Sequence, residues 1–330
     1  MNIQPGTERY KNILVATDFS PHAEAAVKQA IWLARQNGAK ITLIHTLPDM
    51  RQAVSSASYQ ARVNLLYADG SVFQQEIRHA SETRMRQLIE TLNAGDLDIQ
   101  FETLLGVPYS QITHAVQKFG FDLVLAGTRG LATWQQFFVG STASRLIRSC
   151  PSSVWIAKSE HVGPPRSVLA ATDFSDVSRR AVIEGLSIAR LASAEFHLLH
   201  IIDSADVPDD LISKTPEGQS LRQEINEVAK QHLDQFVESL GVDPAQVRKH
   251  MSFGAPWQEV SRLAKHLSID LIAIGTIGRG GVPGIFLGNT AEKVLTSCDC
   301  SILTVKPADF VSPIAPEIGL PDPASNGTQP

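Results

Sequence analysis

GTRGLATWQQFFVGST, Gly127 to Thr142, and GTIGRGGVPGIFLGNT, Gly275 to Thr290, decide how this chain folds. Each runs Gly, two residues, Gly, nine residues, Gly, then small polar residues ending in Thr. Each follows an apolar run, FDLVLA or IDLIAI, and precedes a helix-like run ending near a Cys. Single glycine spacings recur by chance. A strand–loop–helix unit recurring in register marks a tandem duplication.

Other landmarks recur in the same order on either side of these segments. ILVATDFS (Ile13 to Ser20) matches VLAATDFS (Val168 to Ser175), and ITLIHTLPD (Ile41 to Asp49) matches FHLLHIID (Phe196 to Asp203). LLGVPYSQI (Leu104 to Ile112) matches SFGAPWQEV (Ser252 to Val260), and SCPSSVWIAK (Ser149 to Lys158) matches SCDCSILTVK (Ser297 to Lys306). Halves of about 150 residues are ordinary domain sizes, each able to bury a core. The Gly/Pro stretch HVGPPR, His161 to Arg166, supplies the linker. The expected layout is a first domain over residues 1–160, a second over 161–308, and a disordered tail over 309–330, where Pro and small residues dominate.

The apolar runs ILVA, ITLI, LVLA and VWIA, then VLAA, FHLLHI, LIAI and ILTV, are continuous rather than alternating. Strands covered on both faces read this way, as in parallel sheets. Between them lie amphipathic helical patterns, such as Ala23, Ala26, Val27, Ala30, Ile31 and Ala34. Ser20 followed by Pro21 suits an N-cap and first helical residue. Residues between Met50 and Gly70 have weak periodicity and read as a long loop. Strand–helix alternation implies an α/β fold of two tandem, doubly wound parallel-sheet sandwiches. VWIAK and ILTVK would otherwise be open sheet edges, so the halves are expected to pack through these last strands.

Ligands of such sheets bind beyond the carboxyl ends of the strands. Gly127 and Gly130 would permit close backbone approach and positive φ. Gly140, Ser141 and Thr142 open a helix whose unpaired N–H groups favour a phosphate. Asp18, at the end of the first strand, can accept from an adenine amino group or a ribose hydroxyl. These groups fit a nucleotide site. They also fit a purely structural reading, with glycines shaping turns, Ser141 capping and Asp18 satisfying nearby backbone. No Walker-type loop with a phosphate lysine occurs, nor a dinucleotide glycine fingerprint after the first strand.

The TDFS strand ends, the Gly-x-Pro turns and the Gly-x2-Gly-x9-Gly-Ser-Thr loop resemble the universal stress protein family. The resemblance covers both halves and implies strand order 3-2-1-4-5 in each, with the halves related by a pseudo-twofold. It implies ATP bound in some members and not in others; ATP, with magnesium as a possible companion, is the cofactor expected here. By position, Asp18 would meet adenine and Thr46 the ribose or base, with Gly127, Arg129, Gly130, Gly140, Ser141 and Thr142 around ribose and phosphates. The second-half equivalents are Asp173, Ile201, Gly275, Gly278, Gly288, Asn289 and Thr290. Asn289 departs from the usual Ser or Thr, and Ile277 stands where the first half has Arg129, with Arg279 adjacent. The first site is therefore expected to be the stronger one. Self-association of the tandem unit is also implied by the resemblance.

The formal charge of −5 argues against a basic nucleic-acid surface. No apolar run is long enough to span a bilayer, and the N-terminus lacks a signal-peptide core. Three cysteines are too few for a disulfide framework, which fits the cytoplasm. No residues form a readable catalytic or metal constellation. His45 and His200 read as hydrogen-bonded structural residues, and Asp49 and Asp203 as solvated loop carboxylates. Arg145 and Arg148 suit an exposed face or a partner contact. Three functions compete: an ATP-responsive regulatory protein with protein partners, a nucleotide-independent scaffold for a protein or apolar ligand, and a slow ATPase.

Overall fold

A computed structural model describes residues 10–47, 70–128, 140–158, 163–204, 216–278 and 287–315. The first half contains β1 (Asn12–Thr17), α1 (Pro21–Asn37), β2 (Lys40–Leu47), α2 (Gly70–Thr91), β3 (Ile99–Leu105), α3 (Pro108–Phe119), β4 (Leu123–Gly127), α4 (Ser141–Ser149) and β5 (Ser153–Ala157). The second repeats the order with β6 (Ser167–Thr172), α5 (Asp176–Ala192), β7 (Glu195–Asp203), α6 (Pro216–Ser239), β8 (Arg248–Gly254), α7 (Pro256–His266), β9 (Leu271–Gly275), α8 (Asn289–Ser297) and β10 (Ser301–Val305). The expected loop between Met50 and Gly70, and the tail beyond Ala315, lie outside the described residues.

All ten strands join one sheet in the order β3-β2-β1-β4-β5-β10-β9-β6-β7-β8. Each half has strand order 3-2-1-4-5, and pairing within each half is parallel. The halves meet through β5 and β10, which pair antiparallel with Leu303 opposite Trp155. The expectation that the last strands cover each other holds. An edge that would offer unpaired N–H and C=O groups becomes the centre of the molecule. Every residue of β5 and β10 is buried.

Two apolar layers sandwich this sheet, and both run across the domain junction. One contains Val15, Leu125, Trp155, Leu303 and residues of α1, α2, α5 and α6. The other contains Leu14, Val124, Ile156, Ile302 and residues of α3, α4, α7 and α8. Alternate residues of each strand supply opposite layers, so the strands are apolar throughout rather than every second residue.

Polar contacts also cross the junction. The buried Glu184 carboxylate of α5 accepts from Tyr10 Oη at 2.8 Å and from Ser153 Oγ at 2.7 Å. Lys306, just beyond β10, is only 1% exposed and donates through Nζ to Ile147 O near the end of α4. Phe310 lies over its ammonium group at 4.2 Å. Gln117 Nε2 donates to Ile314 O, so the part of the expected tail within the described residues contacts the first domain.

The TDFS segments form the same turn in both halves. Ser20 and Ser175 cap α1 and α5, accepting from the amides of Ala23 and Ser178. Phe19 and Phe174 adopt φ of 62° and 64°, an unusual conformation for a bulky residue. Packing holds it: Phe19 contacts His45 at 4.7 Å between centroids, and Phe174 contacts His200 at 4.3 Å. The turn delivers Asp18 and Asp173 to the carboxyl ends of the central strands.

Candidate nucleotide site

A cleft lies at the carboxyl ends of β6, β7 and β9, where crossovers leave the sheet in opposite directions. Its volume is about 580 Å³. It is lined by all seven second-half candidates: Asp173, Ile201, Gly275, Gly278, Gly288, Asn289 and Thr290. This volume lies in the range of small-molecule sites.

The floor is built by short-range chemistry. Asp173 Oδ1 accepts from Ser175 N at 3.0 Å and Ser175 Oγ at 2.6 Å, which fixes the carboxylate at the strand end. Its Oδ2 lies beside Gly278, where an added Cβ would come within 2.7 Å. Thr276 N donates to Val305 O at 2.9 Å, and Gly288 N donates to Thr276 O at 2.7 Å. These bonds tie the first residue after β9 to the start of α8.

The wall facing Asp173 is the N-terminus of α8. Glu292 N donates to Gly288 O, leaving the amides of Asn289, Thr290 and Ala291 without partners inside the helix. Gly288 supplies no side-chain cap. The same holds in the first half, where Ser144 N donates to Gly140 O and Gly140 has no capping side chain. By contrast, the serines of TDFS cap α1 and α5. Val107 and Ala255 also leave α3 and α7 without side-chain caps, but proline at the first helical position removes one donor there. Thus α4 and α8 present three open amides each at the positive end of a helix, suited to an anion.

In the first domain, Asp18 Oδ1 accepts from Ser20 N at 3.0 Å. One such bond leaves the carboxylate further acceptor capacity. The bond to Ser20 N is the one the structural reading of Asp18 expects, and it leaves acceptor capacity for a ligand. Thr46 is half-buried at the end of β2, one residue beyond His45, which is the register partner of Thr17. Gly127, Gly140, Ser141 and Thr142 occupy the β4 end and the α4 start. Arg129, Gly130 and Arg279 lie outside the described residues.

The glycines work differently from the expectation of positive φ. None of Gly127, Gly140, Gly275, Gly278 and Gly288 is in the left-handed region. What matters is the absent Cβ. At Gly127 it would meet the His22 carbonyl carbon at 2.5 Å and Ala23 N at 2.7 Å. At Gly275 the nearest atom is Val177 Cγ1 at 2.9 Å. Both glycines let the strand end close on the first helix of its domain, α1 or α5, so their first role is packing. Gly127→Ala is expected to cost about 3 kcal/mol because rigid backbone must move, and Gly275→Ala about 1 kcal/mol because a valine methyl can yield. Urea denaturation of the two variants checks this order.

Thr172, Ser178, Thr276 and His200 also line the cleft, as does Asp203, which is the last residue of β7 rather than a loop carboxylate. Thr172 Oγ1 and Ser178 Oγ are 3.1 Å apart. Recurrence was the available signal, since Thr17 and Thr128 stand at the places of Thr172 and Thr276. The histidines behave as expected: His45 Nδ1 donates to Thr17 O at 2.7 Å and His200 Nδ1 to Thr172 O at 2.9 Å. Each bond fastens β2 or β7 to its neighbouring strand end. Among the described residues, no group of three or more His, Cys, Asp or Glu is placed to hold a metal ion. Among the same residues, no helix is long and apolar enough to cross a membrane.

Comparisons with known proteins agree with this architecture. The model of the universal stress protein family matches residues 9–158 and again residues 165–306. The chain is 25% identical to universal stress protein E of Photorhabdus laumondii over 324 residues, covering 92% of this chain and 98% of the relative. It is 24% identical to universal stress protein E of Escherichia coli K12 over 320 residues, covering 92% and 96%. A crystal structure of a universal stress protein from Archaeoglobus fulgidus superposes with a TM-score of 0.61 at 17% identity, covering 89% of this chain and 98% of that one. Two family matches in tandem account for both halves of the sheet, and the chain belongs to the universal stress protein family.

Proposed function

We propose that this protein is a stress-response regulatory module that binds ATP at the carboxyl ends of its central strands. The observation that carries this reading is the pairing, across one cleft, of a fixed carboxylate with three open helix amides: Asp173 on one side, Asn289 to Ala291 on the other. Adenine or ribose donors suit the carboxylate, and phosphates suit the amides. The first domain repeats the arrangement with Asp18 and Ser141 to Ala143. Magnesium would travel with the phosphates, since the described side chains supply no cage for it.

Binding can bias only states for which the ligand's affinity differs. In this protein the sheet and both apolar layers are continuous through β5 and β10, so occupancy on either side of the junction bears on a shared core. Protein partners would read the surface that results. The protein is read as a regulator rather than an enzyme because no lysine or arginine lines the described cleft, and the His200 ring that does is fastened to Thr172 O. A cytoplasmic location is supported by three cysteines that are all free of disulfides. Isothermal titration with ATP tests the reading. Saturable binding at or below millimolar ATP is expected, and a flat titration at that concentration would sink it.

A further inference from the structure

The second site carries a feature that works against an anion. Glu292 stands in the first turn of α8, the helix that offers its amides to the cleft. It directly follows the cleft-lining residues Gly288 to Ala291, so its charge acts on an anion at the helix start through the field at that end of the helix rather than by contact. The equivalent residue in α4 is the neutral Ser144. A negative side chain here suits the helix end when no ligand is bound, but it repels a polyphosphate.

The compensating charge comes from the other domain. Arg148, in the last turn of α4, places Nη2 2.5 Å from Glu292 Oε1. The two side chains are 39% and 50% exposed. The pair occurs on one side of the pseudo-twofold only, because the residues at the mirrored positions are Ser144 and Thr296, which carry no charge. The asymmetry falls on the site that has Ile277 where the first domain has Arg129. An exposed ion pair of this kind contributes little to stability. Its position, one turn from three open amides, gives it a larger effect on a polyanion than on folding.

We infer that Arg148 of the first domain is a positioning residue for the second nucleotide site, holding and neutralising the Glu292 carboxylate so that phosphates can occupy the start of α8. The inference rests on the nucleotide reading of that cleft. It makes the affinity of the second site depend on α4, the helix that forms the first site, and so links the two.

The test uses the full chain with the first site disabled by Gly140→Asp, titrated with ATP in a calorimeter. Arg148→Ala is expected to weaken second-site binding about 10-fold, and Arg148→Lys to restore most of the loss. In a Glu292→Gln background, the same Arg148→Ala change is expected to cost less than about 2-fold, because the charge it neutralised is gone. The loss should shrink as salt is raised. Unchanged affinity in Arg148→Ala, or a loss just as large beside Glu292→Gln, overturns the inference while leaving the nucleotide reading intact. If the chain with Arg148 and Glu292 both present takes up no ATP at this site, the reading of the second cleft fails, and the inference with it.

Discussion

Gly288→Asp is expected to abolish nucleotide binding by the second domain while leaving the protein as stable as before, or slightly more so. Gly288 has φ −74° and ψ 155°, which any residue can adopt. A Cβ there would sit 3.4 Å from Thr276 O, an ordinary contact. An aspartate fits and would cap α8 by accepting from its open amides, gaining up to about 1 kcal/mol from the cap and the lost glycine entropy. The same carboxylate would occupy the donors meant for phosphate and repel a polyanion at close range, a penalty of several kcal/mol at an effective dielectric near 20. Affinity should fall by at least about 100-fold. Calorimetric titration and thermal melting of one preparation check both halves of the expectation. If Gly288 served only the turn, the variant would bind as before or unfold more easily.

The second large effect concerns pH. Burial pushes the Lys306 ammonium down from 10.5 to about 7, a tendency the nearby Arg148 reinforces and Cys150 opposes. Its folded pKa lies below its unfolded one, so the folded state binds fewer protons between those values. Stability therefore rises with pH from about 7 toward 10.5 and is lost as pH falls through that range. Cys150 and Cys300 act in the opposite sense: burial pushes their thiols up to about 12, so above about pH 9 the unfolded thiolates draw stability away. The Lys306 contribution is thus cleanest between pH 7 and 9, where it amounts to about 2 kcal/mol. Urea denaturation should show greater stability at pH 9 than at pH 7, and Lys306→Met should remove most of that difference. A slope unchanged in the variant would assign the effect to other groups.

Legibility of this fold in the sequence followed burial. Eight strands announce themselves as apolar runs because helices cover both faces. The outer strands β3 (IQFETLL) and β8 (RKHMSFG) are partly exposed and mixed in composition, so no apolar run marks them. Family resemblance, not pattern, supplied the fifth strand of each half. The glycine spacing pointed to the ends of β4 and β9, but its physical reason was hidden. Positive φ was the natural guess from composition, whereas the absent Cβ at Gly127 answers to the backbone of His22, far away in the chain. Conversely, nothing local marks Phe19 and Phe174 as left-handed, since packing against His45 and His200 holds them there. Nothing in the run ILTVK marks its last residue, Lys306, as buried. It is buried because the end of α4 and Phe310, from different parts of the chain, close over it. For Arg148 the sequence left open an exposed face or a partner contact, and the contact proves to be the other half of the same chain.

Asp173 and the first amides of α8 are proposed to bound a nucleotide site. A crystal structure of the full chain grown with millimolar ATP tests this most directly. Density for adenine nucleotide is expected in the second-domain cleft, with phosphate oxygens within hydrogen-bonding distance of the amides of Asn289, Thr290 and Ala291 and the base or ribose toward Asp173. A cleft without nucleotide at that concentration, or nucleotide bound with its phosphates away from α8, would contradict the proposal.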